Sequence, residues 1–319
     1  MIGEFRPSES ARLFELLKEN FPEEEALYGT QPGAWNRIVR RIYRWDARLV
    51  VGLLRALGRP IYRFFTVTVD GRIVATTIVS FAERAGYISM VMVDRPYRGR
   101  GYARALMERA RDAAERAHRR YVALDVLSGN APAIALYRSL GYRDLREVGL
   151  FSRPLDPLRP VASTAAPPPP SADLRRYRSA DREPLAAIAA RAIPTTVAEV
   201  LPPNRRALNG SFTLDRILAS ESESWVVEQD GAPVAWASAT VSDAMEAAGL
   251  SAPIVDEAAD PARVDGLLRT AVDWCARRGA ARIVSQVPLD HRRSVEALER
   301  AGFSIAHRLR TLYRPTSHA

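Results

Sequence analysis

Residues 87–142, YISMVMVDRPYRGRGYARALMERARDAAERAHRRYVALDVLSGNAPAIALYRSLGY, carry the clearest structural pattern of this 319-residue chain. The apolar run from Tyr87 to Val93 is too short for a typical helix and predicts a strand. A glycine loop then opens a helix whose apolar positions recur every three or four residues. Tyr121 to Val126 predicts a second strand, which another helix follows. This order of elements is α/β and is typical of a ligand site where a sheet meets a helix N-terminus.

The loop at residues 98–103, RGRGYA, indicates an anion site. Two glycines let backbone N–H groups turn toward one point, the helix N-terminus adds positive partial charge, and Arg98, Arg100 and Arg104 add whole charges. A Walker loop is excluded because it needs a lysine, which this stretch lacks. A dinucleotide loop needs a third glycine where Arg104 stands. Asp125, placed where a ribose-binding acid would lie, keeps NAD as an alternative ligand.

The same loop fits the pattern Gln/Arg-x-x-Gly-x-Gly/Ala, filled by Arg98, Gly101 and Ala103. Asn130 and the run AIALYRSLGY at residues 133–142 fit a second pattern, Asn-x-x-Ala-x-x-Leu-Tyr-x-x-x-Gly-Phe/Tyr. By these motifs the chain resembles the GNAT superfamily of N-acetyltransferases. The resemblance implies a mixed, mostly antiparallel sheet flanked by helices, acetyl-CoA (CoA) as cofactor, and a small-molecule or peptide amine as acceptor.

The resemblance also implies site residues. Tyr137 would protonate the leaving thiolate, and strand N–H groups near Met92 would hold the thioester carbonyl. Asn130 would cap the second helix or bond the pantetheine amide. The implied cofactor-binding residues are Met92, Val93, Arg98, Gly99, Arg100, Gly101, Tyr102, Ala103, Asn130 and Tyr137.

A general base is not evident, because the strand before the loop has no carboxylate where some family members carry a glutamate. Glu83, at the entrance of that strand, is a candidate catalytic residue. Asp125, a water chain or the glutamates at 23–25 are alternatives. We predict direct attack of a primary amine on acetyl-CoA in a ternary complex. A catalytically silent acyl-CoA sensor or scaffold is the alternative function.

The composition is that of a globular protein, with 47% hydrophobic and 26% charged residues. No stretch reaches the roughly 18 apolar residues of a membrane span, and the opening residues show no signal-peptide pattern, so we expect a cytoplasmic protein without a membrane partner. The single Cys275 and 4 histidines without ligand spacing predict no metal. The net charge of +9 raises nucleic acid as a partner, but the 46 basic residues are interspersed with 37 acids, which favours an ion-paired surface.

Other elements are predicted more briefly. Residues 64–69 and 73–81 flank an Asp-Gly pair and predict a hairpin, and residues 144–150 and 151–155 predict two closing strands. Residues 34–57 have a helical apolar period, which favours core or lid packing over a helix on a membrane surface. By the resemblance, three aromatic residues of the region between the first two strands would line the acceptor pocket: Trp35, Tyr43 and Trp45.

The chain divides at a spacer with four consecutive prolines, giving domains at 1–156 and 173–319 and a linker at 157–172. The second half repeats the first, since Gly302-Phe303 and Val287 match Gly141-Tyr142 and Val126 at one offset. We therefore expect two tandem GNAT-like domains, the second degenerate.

The loop of the second half, residues 259–264, has no glycine, and Asp256, Glu257 and Asp260 lie around it. Three acids disfavour a diphosphate by like-charge repulsion. Leu298 stands opposite Tyr137, and His291 opposite Asn130. We expect this half not to bind the cofactor in the usual way, but to pack on the first half, close the acceptor site or form a homodimer interface.

Overall fold

A computed structural model describes residues 2–5, 9–29, 62–155, 173–202 and 221–319. The first half contains strands β1 to β6 and helices α1 to α4. The strands are β1 Ile2–Glu4, β2 Tyr62–Val69, β3 Arg72–Phe81, β4 Ala85–Val93, β5 Tyr121–Leu127 and β6 Arg143–Pro154. The helices are α1 Ser10–Asn20, α2 Pro22–Tyr28, α3 Tyr102–Arg116 and α4 Ala131–Ser139.

The second half repeats this plan. Its strands are β7 Leu174–Arg176, β8 Glu221–Gln229, β9 Ala232–Val241, β10 Ala247–Leu250, β11 Ile254–Val255, β12 Arg282–Pro288 and β13 Ser304–Pro315. Its helices are α5 Arg182–Ala192, α6 Thr195–Val200, α7 Pro261–Ala276 and α8 Arg292–Arg300. The predictions for residues 34–57, with Trp35, Tyr43 and Trp45, and for the linker at 157–172 lie outside the described residues.

The predicted hairpin is confirmed. β2 and β3 pair antiparallel across Asp70 and Gly71, whose φ angles of 48° and 76° are both positive. Asp230 and Gly231 repeat this turn in the second half, with φ angles of 52° and 78°. Two positive φ angles match the right-handed twist of the flanking strands, which is why an Asp-Gly pair is favoured there.

The two halves share one sheet and exchange their closing strands. The order of the main sheet is β1-β2-β3-β4-β5-β13-β6-β12-β10-β9-β8-β7. β13 of the second half therefore lies between β5 and β6, while β6 lies between β13 and β12. Val126 pairs with Arg310 and Val287 pairs with Gly149, so the two exchanges have equivalent registers.

The prediction of two closing strands at 144–150 and 151–155 is wrong. The structure has one strand, β6, which pairs with β13 on one side and with β12 on the other. Because its partners continue on both sides, the chain does not turn at residue 150. The register of the β6–β13 pair shifts at two places, and β6 continues through both without a turn.

The exchange also links the two cores. Helix α3 packs its apolar side, including Leu106 and Ala110, against the first half of the sheet, and α7 packs in the same way on the second half. Leu312 of β13 is buried in the first core, and Phe151 of β6 is buried in the second. Each half therefore completes the core of the other. Cys275 is buried in the second core, and burial raises the pKa of its thiol to about 12.

The opposite face of the sheet is covered in the same reciprocal way. Leu27 of α2 packs on Leu150 and Val284, next to the second half. Val200 of α6 packs on Ala85 and Tyr121 of the first half. None of the helices in the described ranges is both long and apolar enough to cross a membrane.

Candidate active site

The neighbouring strands β4 and β5 separate part of the way along their length. Their parallel pairing joins Ala85 to Tyr121 and Tyr87 to Ala123. Within the described strands, β4 and β5 do not pair with each other beyond Tyr87. Further along β4, Met90 has a φ angle of 54° and the register with β3 shifts, which is a bulge. The backbone of β4 therefore lines one side of a wedge that opens toward its C-terminal end.

The loop that follows β4 holds its backbone in a conformation that requires glycine. Gly99 and Gly101 have φ angles of 76° and 81°, and Gly101 is the N-cap of α3. A Cβ on either residue would meet nothing within 4 Å, so open space lies beside the loop. Within the described part of the chain, the N–H groups of Gly99, Arg100 and Gly101 have no backbone acceptor. The first N–H groups of α3 also lack intrahelical acceptors, as at every helix start.

Three arginines surround this loop, and their hydrogen bonds there go to neutral oxygens. Arg98 donates to the Val93 carbonyl and to Asn20 Oδ1, both at 3.1 Å. Arg100 donates to the Pro96 carbonyl at 3.3 Å, and Arg104 to Ser139 Oγ at 2.7 Å. These hydrogen bonds do not cancel the three positive charges. The loop is therefore a cup of backbone amides with a positive rim, the chemistry that binds a phosphate or diphosphate.

An ion pair that the sequence does not reveal fixes the loop to the first helix. Asp94 is buried and pairs with Arg12 of α1 at 2.5 Å. Arg12 also donates to the Ile73 carbonyl at 3.3 Å. The start of the loop is thereby held between α1 and the sheet. The partners are 82 residues apart, so no local pattern could indicate the pair.

Helix α4 carries the second motif. Asn130 is its N-cap and accepts a hydrogen bond from the Ala133 N–H at 3.2 Å, which confirms the predicted cap. Tyr137 is buried against α3 and the sheet, and its ring centroid lies 6.1 Å from that of Tyr142. Burial raises the pKa of the Tyr137 phenol to about 12. The phenol is therefore protonated at neutral pH and can act as a proton donor.

The two carboxylates that are candidate bases lie in different surroundings. Glu83 is exposed in the turn before β4, so the 9-residue strand separates it from the glycine loop. Asp125 faces the point where β4 and β5 separate and accepts hydrogen bonds from Gln286 and Thr311, both at 2.6 Å. Tyr87 lies near Asp125, and its pKa is raised by burial first and then by the nearby Asp125 carboxylate.

The corresponding loop of the second half is closed by its own side chains. Asp260 caps α7 by accepting from the Ala262 N–H at 2.9 Å, and Asp256 accepts from the Ala258 N–H at 2.9 Å. Ser294 of α8 donates to the Pro253 carbonyl at 2.6 Å, which ties that helix to the neighbouring strand segment. A carboxylate therefore occupies the Ala262 amide, whose counterpart at Gly101 remains open in the first half.

The whole chain has the fold of tandem GNAT proteins. A solved tandem GNAT protein from the clavulanic acid biosynthesis pathway matches 99% of this chain and 98% of its own, with a TM-score of 0.66 and 15% identity. A GCN5-related N-acetyltransferase from Sphaerobacter thermophilus matches 99% of this chain and 95% of its own, with a TM-score of 0.62 and 17% identity. At these identities, the likeness concerns the fold alone.

The sequence comparisons match shorter parts of the chain. Residues 11–142 match the family model of the Acetyltransferase (GNAT) family. A curated relative, the [Ribosomal protein bS18]-alanine N-acetyltransferase of Escherichia coli K12, is 34% identical over 83 residues. That match spans 26% of this chain and 56% of the relative, about half of its length.

Proposed function

We propose that this protein is an N-acetyltransferase that transfers the acetyl group of acetyl-CoA to a primary amine. Direct attack of the amine while both substrates are bound is part of the proposal. The observation that carries it is the open amide cup at Gly99 to Gly101, next to the wedge between β4 and β5. The match of residues 11–142 to the GNAT family model supports the same reaction.

The residues of the first half fit acetyl-CoA. The positive-φ glycines leave free space, and the amides and arginines around it suit a diphosphate. The free edge of β4 at Met92 and Val93 suits the amide groups of a pantetheine arm, which can pair with a strand edge. The residues that would hold the diphosphate are Arg98, Gly99, Arg100, Gly101, Tyr102 and Ala103.

Acetyl-CoA supplies a thioester carbonyl and a thiolate leaving group when it is bound. The chain must then stabilise charge on the carbonyl oxygen, donate a proton to sulfur and accept one from the amine. Free N–H groups of β4 beyond Tyr87 can donate to the carbonyl oxygen. Tyr137 holds a proton at Oη, because the pKa of its phenol, about 12, lies well above neutral pH.

Asp125 is the proton acceptor in this proposal, reached through the Tyr87 hydroxyl. Tyr87 is the last residue of β4 that pairs with β5, so its side chain lies where the wedge begins. Its hydroxyl is close enough to Asp125 for the charge of the carboxylate to act on it, and in this proposal it relays a proton to Asp125. Glu83 has no part in the proposal, because its side chain is exposed to water in the turn before β4.

The acceptor class proposed is a small-molecule amine or a peptide N-terminus. The E. coli relative acts on an alanine of a ribosomal protein, which supports including N-terminal alanine peptides among the substrates tested. A cytoplasmic location is part of the proposal, because such substrates are made there.

The test is thiol release from acetyl-CoA across a panel of small amines and peptides, with mass spectrometry of the acetylated product. Tyr137→Phe is expected to lower kcat by about 100-fold, the usual contribution of a general acid, with coenzyme A affinity unchanged. The matched control is Tyr142→Phe, since Tyr142 is buried in the same core and its hydroxyl has no partner within the described ranges.

Two outcomes would contradict the proposal. Coenzyme A binding without turnover on any amine would point to the silent sensor instead. Equal losses of kcat in Tyr137→Phe and Tyr142→Phe would show that the Tyr137 hydroxyl has no special role.

A further inference from the structure

A group of polar side chains lies where the exchanged strands meet. We call it the junction cluster, and it contains Tyr87, Asp125, Arg146, Gln286 and Thr311. Asp125 of β5 stands opposite Thr311 of β13, which in turn stands opposite Arg146 of β6. Opposed residues of paired strands project from the same face of a sheet. The cluster is therefore a polar row that begins at the wedge between β4 and β5.

Both oxygens of the Asp125 carboxylate are held by the second half of the chain. Thr311 Oγ1 donates to Oδ1 and Gln286 Nε2 donates to Oδ2, each at 2.6 Å. Thr311 is 1% exposed, so its hydroxyl has little access to water as an alternative partner. Hydrogen bonds to a charged group are stronger than neutral ones and more directional. The Asp125 carboxylate is thereby fixed in orientation beside Tyr87, on whose phenol its charge acts.

The polar residues of the junction cluster are not repeated at the equivalent positions of the other half. Gln286 stands where the repeat places the counterpart of Asp125, and it pairs with Leu150, the counterpart of Thr311. Gly249, which pairs with Val284, is the counterpart of Tyr87. The equivalent meeting point of β10, β12 and β6 therefore lacks the phenol of Tyr87, the carboxylate of Asp125 and the hydroxyl of Thr311. Joining the halves does not require the junction cluster, which is built only beside the open wedge of the first half.

We propose that the second half takes part in the reaction of the first through Gln286 and Thr311, which act as positioning residues for Asp125 and Tyr87. The inference rests on the proposed function, because it assigns these residues to the site where the amine loses its proton. Arg146 is the cation of the cluster, and its charge acts on Tyr87.

The test measures steady-state kinetics of the full chain with the amine that turns over best. Thr311→Val removes the hydroxyl with little change of shape, and Thr311→Ser restores it. We expect Thr311→Val to lower kcat by at least about 10-fold, with KM for acetyl-CoA within about two-fold of the original, and Thr311→Ser to recover most of the loss. Gln286→Leu is expected to give the same split between kcat and KM.

Thr316→Val is the matched control. Thr316 is also buried, and its hydroxyl donates to the Arg119 carbonyl of the first half, away from Asp125. It removes a buried threonine hydroxyl that joins the halves through a neutral carbonyl, so thermal unfolding should shift while kcat stays unchanged.

The outcomes separate the two proposals. Turnover by the original chain together with unchanged kcat in Thr311→Val and Gln286→Leu would overturn this inference alone. A loss in Thr311→Val that Thr311→Ser does not recover, or that Thr316→Val shares, would also overturn it, since the effect would then be structural. Absence of turnover in the original chain on every amine would overturn the proposed function and this inference with it.

Discussion

Replacing Gly101 by aspartate would give the helix of the first half an N-cap carboxylate, as Asp260 gives the corresponding helix of the second half. Gly101 and Asp260 are both helix N-caps, but Asp260 accepts a hydrogen bond from its own helix and Gly101 leaves those amides open. A Cβ at Gly101 meets nothing within 4 Å, so the new carboxylate has room beside the amides. We expect it to compete with a diphosphate for them.

The loss of affinity can be worked out from the hydrogen bonds that the phosphate would no longer make. About two hydrogen bonds from the amides to a phosphate, at roughly 1.5 to 3 kcal/mol each, would be replaced by internal ones. Repulsion between the carboxylate and a phosphate at about 4 Å adds roughly 1 to 4 kcal/mol, depending on exposure to water. A total of at least about 4 kcal/mol corresponds to a loss of coenzyme A affinity of about 1,000-fold.

Isothermal titration calorimetry with coenzyme A measures this loss, and Gly71→Asp is its control. Gly71 has a φ angle of 76° and equally open surroundings, but it lies in the turn between β2 and β3. Both variants strain the backbone by about 1 to 2 kcal/mol, so a shared loss of stability is accounted for. Affinity of Gly101→Asp within ten-fold of that of Gly71→Asp would refute the reasoning.

Three further predictions concern stability. Burial raises the pKa of Tyr137 to about 12, so the unfolded chain loses this proton first and the free energy of unfolding falls above about pH 10; the share from Tyr137, on the order of 2 kcal/mol, should be missing from denaturation curves of Tyr137→Phe. Residues 1–156 expressed alone should not fold, because β5 loses β13, whereas cleavage within 157–172 should leave two associated halves in size-exclusion chromatography; a folded, monomeric first half would contradict this. Gly86→Ala should lower the unfolding free energy by about 1 to 3 kcal/mol in denaturant titrations, because its Cβ would lie 2.7 Å from Ala114 Cβ; an unchanged midpoint would show that α3 can shift.

The parts of the site that lie close together in the sequence could be predicted. The loop at 98–103 and the helix after Asn130 follow from glycine, capping and apolar spacing, which act over a few residues. The repeat between the halves is also visible in the sequence, because Gly302-Phe303 and Asp230-Gly231 match their counterparts.

The parts that depend on distant pairing could not be predicted. β6 looks like two short strands, and only its pairing with both β12 and β13 makes it one. The partners of Asp125 are 161 and 186 residues away, and no local pattern indicates which strand will lie beside β5. Glu83 is a candidate in the sequence because it is near β4, whereas the direction of the strand places it far from the loop.

Native mass spectrometry of the intact chain with acetyl-CoA tests most directly the claim that the first half alone has an open cup. The account predicts one acetyl-CoA bound per chain, and none bound to Gly101→Asp at the same concentration. Two molecules per chain, or one that persists in Gly101→Asp, would contradict it.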